Sequence, residues 1–313
     1  MIIKTQFTPA AMWPFARFEL GLGLAASVVT WLLVDLAHVH QIILPVTLVI
    51  VLGTALSILL AIRANTAYLR WWEASTMWAQ LVALSRNLIR VAATVSDSKL
   101  AAGADPAAVT RFQHDLARQQ VAFVIALRQA LRRQEQTKAA ITELSRYLPD
   151  ESRDRVLAAD NRPAILLQLH SQRIFRAYAD GLLAGFDNFQ LETALAAMAQ
   201  QQALAERTAA QPVPRSYDVF SRYLVHLYVV LFPLAIIGTV TSDQWIVIPA
   251  TLIIAFAFRM VERIGASVDT PFAATRQDVP MTAATITVER DLYEAVGITD
   301  RPPPATPVAG YLW

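Results

Sequence analysis

The stretch LPVTLVIVLGTALSILLAIRANTAYLRWWEASTMWAQLVALSRNLIR, residues 44–90, decides the architecture of this chain. Its first part, residues 44–62, carries no charged side chain. With the residues just before it, this part is long enough to cross a bilayer core of about 30 Å as a helix. From Arg63 onward the stretch becomes amphipathic and rich in arginine and tryptophan. We therefore expect one helix that leaves the membrane and continues into a soluble domain.

The composition of the chain fits a mixture of membrane and soluble parts. Of its 313 residues, 55% are hydrophobic and 17% are charged, which is too apolar for an ordinary soluble domain and too charged for a chain wholly in lipid. The net charge of +2 and the scattered basic residues give no argument for nucleic-acid binding. The sequence contains no cysteine, which excludes disulfides and cysteine–zinc sites.

Four apolar stretches predict four membrane-spanning helices, over residues 18–36, 41–62, 219–240 and 246–258. The rest of the chain is polar enough to lie outside the membrane. The domain organisation that follows is an N-terminal segment (1–15), a first transmembrane pair (16–62), a helical soluble domain (63–215), a second transmembrane pair (216–260) and a C-terminal segment with its tail (261–313).

The basic residues predict the orientation of these spans. No Lys or Arg lies between Arg17 and Arg63, or between Arg222 and Arg259. Both short turns between paired spans therefore lack basic residues, whereas the termini and the long middle region carry them. By the positive-inside rule we expect the turns outside, and both termini and the middle region in the cytoplasm.

The middle region reads as amphipathic helices, because apolar residues recur at spacings of three and four with polar residues opposite. We expect helices over residues 66–96, 106–134, 136–147, 163–184 and 189–209, with a further helix over 283–297. Either Asp160 or Asn161 is placed to cap the helix that begins near Pro163. No alternating strand pattern or hairpin signal appears, so the soluble part is predicted to be helical.

The sequence offers no positive case for an enzyme. None of its five histidines shows the spacing of a metal-binding motif, and His38 and His40 in the first outer turn are better explained as solvated residues than as metal ligands. The nucleophile elbow, the phosphate-binding loop and the dinucleotide fingerprint do not occur. We therefore expect no catalytic residues, no cofactor and no bound metal.

The segment that starts at Arg63 resembles the signature segment of the bestrophin family, in particular its bacterial members. The residues that carry the resemblance are Arg63, Asn65, Ala67, Tyr68, Arg70, Trp71, Trp72, Glu73, Ala74, Trp78, Ser85, Arg86, Asn87 and Leu88. Later motifs follow in the family's order, so the resemblance covers residues 17–292. It implies an all-helical, four-span membrane protein that forms a homopentameric ion channel in the lipid bilayer of the bacterial inner membrane.

Thr54, Ile58 and Ile62 lie four residues apart and share one face of the second span. Taken alone, such a face is more often a packing surface than a pore lining. The resemblance implies the second role, because bestrophins line a narrow neck with three hydrophobic positions that carry over to these residues. Thr54 departs from the larger apolar residue usual in the family, which predicts a wider and more polar outer ring.

The resemblance also implies a second constriction, a cytosolic aperture, which carries over to Phe189. From the sequence alone, an ordinary buried core aromatic is the preferred explanation of Phe189. Five such residues around one axis would form a tight, hydrophobic exit.

For several charged and aromatic residues the sequence favours an ordinary structural role. Glu19 lies at one end of the first span, where solvation at the membrane interface is the simpler expectation, and Asp35 lies at the other end. Within the signature segment, Glu73 is spaced to pair with Arg70. The neighbouring tryptophans, Trp71 and Trp72, are expected to anchor the helix at the interface and to its neighbours.

The resemblance includes a region where animal bestrophins bind calcium with an acidic run. Here that run reads Ala266-Ser267-Val268-Asp269 and offers one carboxylate. Calcium takes about six to eight oxygen ligands. We therefore expect no calcium site and no activation by calcium.

The sequence does not decide which ion the channel passes. Animal members of the family pass anions such as chloride, whereas bacterial members favour monovalent cations such as sodium, and an apolar neck carries no charge that decides between them. The alternative function is a non-conducting membrane scaffold or receptor whose helical cytosolic domain binds a partner.

Overall fold

The computed structural model describes residues 9–211, 215–275, 277–308 and 310–312. Within these residues the chain forms ten α-helices and two compact units. The helices are α1 (Pro9–Trp31), α2 (Val46–Ser98), α3 (Pro106–Leu131), α4 (Lys138–Ser145), α5 (Asp150–Leu157), α6 (Arg162–Ala179), α7 (Asp187–Ala210), α8 (Arg215–Ile236), α9 (Val247–Val268) and α10 (Met281–Ala295).

Four helical segments are long and apolar enough to cross a membrane. They are Trp13–Leu36, His40–Ala102, Ser216–Thr239 and Gln244–Val268. This finding confirms the prediction of an all-helical membrane protein with four spanning helices.

Helix α2 is one continuous helix of 53 residues, about 80 Å long at 1.5 Å per residue. It begins at Val46, directly after Pro45, and it joins the predicted second span to the predicted helix over residues 66–96. The expectation that one helix continues out of the apolar run is therefore confirmed.

The first unit, called the membrane unit below, contains α1, α8, α9 and α2 as far as Trp71. Val49, Leu56 and Leu60 of α2 are buried in its main core together with Val225 and Tyr228 of α8. The unit ends at Trp71 and Thr270, so the predicted domain boundaries at residues 62 and 260 fall inside it. The physical reason is that charged side chains beyond those boundaries bond to other helices of the same unit, as described below.

The helix that contains the first span begins earlier than the predicted span. Helix α1 begins at Pro9, so residues 9–15 belong to a helix, whereas the sequence suggested a separate segment over residues 1–15. Residues 1–8 of that segment lie outside the described part of the chain. Pro14 lies inside α1, where it removes one backbone hydrogen bond, a loss that spanning helices tolerate.

The second unit, called the helical unit below, comprises Trp72–Gln211 and the chain from Pro271 onward. Its centre is α3, which packs against α6, α7 and α10. Asn161 caps α6, because its side-chain oxygen accepts a hydrogen bond from the backbone N–H of Ala164 at 3.0 Å. Of the two residues proposed for this cap, the structure selects Asn161.

Two helix predictions in the helical unit were wrong. Helix α5 was not predicted, because its sequence DESRDRVL has little apolar periodicity. Asp150 and Glu151 lie in its first turn and Arg155 in its last, which suits the helix dipole. Helix α6 ends at Ala179 and does not reach residue 184, because Gly181 adopts a left-handed conformation with φ of 75°.

Gly53 is required by the packing of the membrane unit. A Cβ atom on Gly53 would lie 2.6 Å from the hydroxyl oxygen of Tyr228 and 2.9 Å from its ring. The ring cannot move away easily, because it packs between Phe232 and Phe258 with centroid distances of 5.9 and 5.0 Å. Helices α2 and α8 therefore approach closely only without a side chain at residue 53.

We expect Gly53→Ala to lower the free energy of unfolding of the purified protein by about 1–3 kcal/mol, the usual cost of overpacking. The matched control is Gly21→Ala, because a Cβ atom on Gly21 meets nothing within 4 Å. The control should leave stability unchanged or raise it by up to about 1 kcal/mol. Denaturant titration in mixed micelles measures both, and equal effects of the two substitutions would contradict this account.

A second prediction concerns His170, which is completely buried in the helical unit. Its Nδ1 lies 2.7 Å from the backbone oxygen of Leu166, and burial lowers the pKa of His170 from 6.5 to about 4. Below pH 6.5 the unfolded chain therefore binds a proton that the folded chain does not take up until about pH 4. Stability is thus lost as the pH falls through this window, by up to about 3 kcal/mol.

The measurement is the free energy of unfolding as a function of pH for the wild type and for His170→Gln. We expect the substitution to flatten the slope between pH 6.5 and pH 4. His40→Gln, at an exposed histidine, should keep the wild-type slope. An unchanged slope in His170→Gln would rule out His170 as the source.

Candidate functional site

The predicted neck residues lie on the uncovered face of α2. Thr54 is exposed, and 56% of Ile58 and 61% of Ile62 remain accessible. The opposite face is packed, because Leu56 and Leu60 are almost fully buried in the core of the membrane unit. No other helix of the membrane unit in the described part of the chain covers the Thr54–Ile62 face.

The hydroxyl groups of this segment are occupied by its own backbone. Thr54 Oγ1 donates to the carbonyl oxygen of Ile50 at 2.8 Å, and Ser57 Oγ donates to that of Gly53 at 2.7 Å. Thr54 therefore offers no free hydroxyl hydrogen at the helix surface. Its oxygen can still accept a hydrogen bond, and the wider, more polar outer ring of the neck stays a prediction.

Arg63 follows Ile62 directly but points into the membrane unit. Its Nη1 group donates to Ser221 Oγ at 2.9 Å and to Glu262 Oε1 at 3.0 Å, and its Nη2 group contacts Asp218. The guanidinium charge is thus compensated by carboxylates on α8 and α9. This is why the membrane unit extends beyond residue 62.

The contacts of Arg63 belong to a larger cluster, here called the ionic collar. Arg259 bridges two acidic residues, with Glu262 Oε2 at 2.6 Å from its Nη1 and Glu19 Oε1 at 3.2 Å from its Nε. His226 Nε2 lies 3.3 Å from the same oxygen of Glu19. The residues of the collar are Glu19, Arg63, Asp218, Ser221, His226, Arg259 and Glu262, and all four spanning helices contribute to it.

Glu19 corrects the expectation of a solvated interfacial residue. Only 2% of its side chain is accessible, and it pairs with Arg259. A signal for this arrangement was present in the sequence, because the predicted orientation places Glu19, Arg63 and Arg259 at the same end of their spans. Asp35, at the other end of the first span, is exposed.

The charged residues of the signature segment have other partners than the predicted ones. Arg70 Nε donates to the backbone oxygen of Asp269 at 3.2 Å, and Glu73 Oε1 accepts from Arg207 Nη2 at 2.8 Å. These contacts replace the expected pairing of Arg70 with Glu73. Each of the two residues binds a partner that is distant in sequence, and that partner lies in the same compact unit as the residue itself.

The aromatic residues of the signature segment differ in exposure. Tyr68 stacks on Trp71 with ring centroids 6.3 Å apart, whereas 56% of Trp72 is accessible. Asn65 is exposed, and Trp78 is buried with 3% accessible. The role of Trp71 and Trp72 as interface anchors stays a prediction.

Phe189 lies in the first turn of α7, in the helical unit. With 59% of its surface accessible, it is not the buried core aromatic that the sequence alone favoured. Phe186 was missed by the sequence analysis; it is 84% accessible, and its ring centroid lies 6.2 Å from that of Phe189. Two adjacent exposed phenylalanines therefore mark this end of α7.

Asp269 is held by a cation rather than by other carboxylates. Its Oδ1 lies 3.6 Å from Arg70 Nε, and burial raises the pKa of Asp269 while Arg70 opposes that rise. In the described residues, no group of three or more histidine, aspartate or glutamate side chains is arranged to hold a metal ion. An arginine beside a single carboxylate does not favour a divalent cation.

Comparison with known proteins places these features in a family. The sequence profile described as Bacterial/Fungal Bestrophin protein matches residues 18–294. The voltage-dependent anion channel-forming protein YneE of Salmonella typhi is 28% identical over 263 residues, which cover 83% of this chain and 80% of that protein. The protein of the same name from Escherichia coli K12 is 29% identical over 246 residues, which cover 78% and 74%.

Solved structures agree on the fold. Two crystal structures of a bacterial bestrophin homologue from Klebsiella pneumoniae, each with a mutation, have TM-scores of 0.80 and 0.81 to this chain at 24% and 23% identity. They cover 90% and 93% of this chain, and 99% and 100% of theirs. At this identity the likeness defines the fold.

We expect Glu262→Gln to destabilise the protein strongly, because it leaves two arginines around a buried neutral amide. Removing one partner of a buried ion pair costs about 3–5 kcal/mol. Glu294→Gln is the control, because Glu294 pairs with Arg301 but its side chain is 71% accessible. Exposed pairs contribute about 0–1 kcal/mol. Denaturant titration in mixed micelles compares the two, and a similar small effect of both would argue against a structural role of the collar.

Proposed function

The chain belongs to the bacterial and fungal bestrophin family, and from this premise we propose that it forms an ion channel with one central pore. Five copies surround the pore as a homopentamer, and each contributes the Thr54–Ile62 face of α2. The observation that carries the proposal is that this face is apolar and left uncovered by the chain's own helices. The two YneE relatives are named as channel-forming proteins, which supports the same function.

The neck acts as a hydrophobic constriction. Rings of Ile58 and Ile62 offer a permeating ion no polar ligand, so the ion must lose part of its hydration shell to pass. The Thr54 ring adds acceptor oxygens but no free hydroxyl hydrogens, because the Thr54 hydroxyl donates to its own helix at 2.8 Å. A constriction of this kind can close by dewetting, without any movement of a charged gate.

The charge of Arg63 does not act on the ion as a bare cation. Its guanidinium group pairs with Asp218 and Glu262, so the residue that follows the neck is compensated within its own chain. Neither the neck nor its nearest arginine therefore selects strongly for one sign of charge. The channel passes small monovalent ions, and the choice between chloride and sodium is made elsewhere along the pore. The names of the two relatives favour anions.

Phe189 forms the second constriction, at the cytosolic exit. Its exposure in the single chain is what a pore-lining aromatic requires, since a buried ring would be unavailable to the pore. Phe186 lies beside it and adds apolar surface at the same end of α7. The exit is therefore apolar, like the neck.

We propose that the protein lies in the inner membrane with both termini in the cytoplasm. The lack of basic residues in both short turns supports this orientation. We also propose that calcium does not activate it. The single carboxylate at Asp269 pairs with Arg70 at 3.6 Å, and one carboxylate falls far short of the roughly six to eight oxygen ligands that calcium takes.

The test is ion flux in liposomes that contain the purified protein, under salt gradients that give chloride and sodium opposite reversal potentials. We compare wild type with Ile58→Ala, Ile62→Ala and Phe189→Ala. Each truncation widens an apolar constriction, so flux should rise severalfold. The sign of the reversal potential identifies the permeant ion, and recordings with calcium and with a chelator should be the same.

Matched controls separate the pore from the outer surface. Ile253→Ala removes an isoleucine that is 68% accessible on α9, and Phe175→Ala removes a phenylalanine that is 47% accessible on α6. Both should leave flux at the wild-type level. Flux equal to that of empty liposomes in every variant would refute the channel and favour a scaffold. Wild-type flux in the neck and exit variants would refute only the assignment of Ile58, Ile62 and Phe189 to the pore.

A further inference from the structure

A cavity of about 230 Å³ lies within the helical unit, between α3, α5, α6 and the Leu148–Pro149 turn that precedes α5. None of the predicted pore residues lines it. It is smaller than the cavities of about 300–1,000 Å³ that usually hold drug-sized ligands, so it suits a small molecule.

The cavity is lined by an excess of positive charge. Arg155 from α5 and both Arg173 and Arg176 from α6 line it, against one acidic residue, Glu151. Three guanidinium groups around one small space repel one another, and arginine stays charged at any physiological pH. An anion in the cavity would relieve that repulsion.

Arg173 is held in a fixed orientation. Its Nη1 donates to Asp115 Oδ2 at 2.8 Å, and its Nε donates to Gln119 Oε1 at 2.8 Å. Gln119 is itself buried, with 3% accessible, and donates from Nε2 to the backbone oxygen of Leu166 at 3.3 Å. These two contacts use Nε and Nη1 of Arg173, so its Nη2 group is available to donate to a ligand. A guanidinium fixed in this way loses little side-chain entropy when it binds an anion.

The other two arginines lack a carboxylate partner in the described part of the chain. Arg155 Nη2 donates to the neutral amide oxygen of Gln168 at 2.7 Å, and Arg176 is exposed without an ion pair or side-chain hydrogen bond there. The nearby Asp150 pairs with Arg153. Arg155 and Arg176 therefore form no ion pair there, and the lining carries more positive than negative charge even with Glu151 included.

We propose that this cavity binds a small soluble anion that carries phosphate. A phosphate group has several acceptor oxygens, which can receive N–H groups from guanidiniums on two helices at once, and arginine forks match its geometry. Gln172 lines the same cavity and adds a neutral donor. A bound anion links α5 to α6 and stabilises the folded helical unit.

The test is isothermal titration calorimetry with sodium pyrophosphate as the probe, on the full-length protein in detergent at low ionic strength. We expect one binding event per chain for the wild type. Arg176→Gln and Arg155→Gln each remove charge-assisted hydrogen bonds and should weaken binding by about tenfold or more. Arg176 is the better variant, because its side chain makes no ion pair or hydrogen bond within the described residues.

Arg90→Gln is the matched control, since it removes one exposed arginine from the same unit, away from the cavity. It should change affinity by less than about twofold, through general charge alone. Equal weakening by all three substitutions would overturn the proposal in favour of nonspecific counter-ion binding. Absence of binding in the wild type would also overturn it.

A second arm separates a soluble ligand from a lipid headgroup. Glycerol 3-phosphate is titrated into the detergent-purified protein, and nanodiscs with and without phosphatidic acid are compared by thermal melting. The proposal requires binding of the soluble phosphate with the same dependence on Arg176. Stabilisation that appears only with phosphatidic acid would assign the site to lipid and refute the soluble anion. Neither arm depends on ion conduction.

Discussion

The ionic collar is the interaction on which the membrane unit depends. A charge left uncompensated in apolar surroundings costs several kcal/mol, and each spanning helix brings at least one charged residue to this cluster. Glu19 of α1 needs Arg259 of α9, and Arg63 of α2 needs Asp218 of α8 and Glu262 of α9. Apolar packing between helices in lipid is weakly directional. The collar therefore supplies much of the information that sets how the four helices align.

The collar also fixes the rotation of α2 about its own axis. Arg63 lies on the same helical stripe as Gly53, Leu56 and Leu60, which are the residues packed in the core. Holding Arg63 against α8 and α9 turns that stripe inward. The stripe of Thr54, Ile58 and Ile62 must then face away from the chain's own helices. The packed core and the ionic collar thus both leave this face exposed.

The sequence predicted features that depend on local pattern and missed those that depend on distant partners. The four spans and the Asn161 cap follow from apolar runs and capping residues within a few positions. The burial of Glu19 could not be predicted from the residues around it, because its partners lie on α8 and α9, more than two hundred positions along the chain. Phe189 shows the opposite error, since an aromatic residue without a visible partner was more simply assigned to a core.

Arginine serves two different purposes in this chain, and compensation distinguishes them. Arg63 and Arg259 in the membrane unit, and Arg128 with Glu143 in the helical unit, are neutralised by carboxylates and hold helices together. Arg155 and Arg176 line a cavity without such partners in the described residues. Structural arginines gain stability from an ion pair that is always present, whereas Arg155 and Arg176 form no ion pair in the described residues. The proposed anion would give these two arginines the pairing that carboxylates give the others.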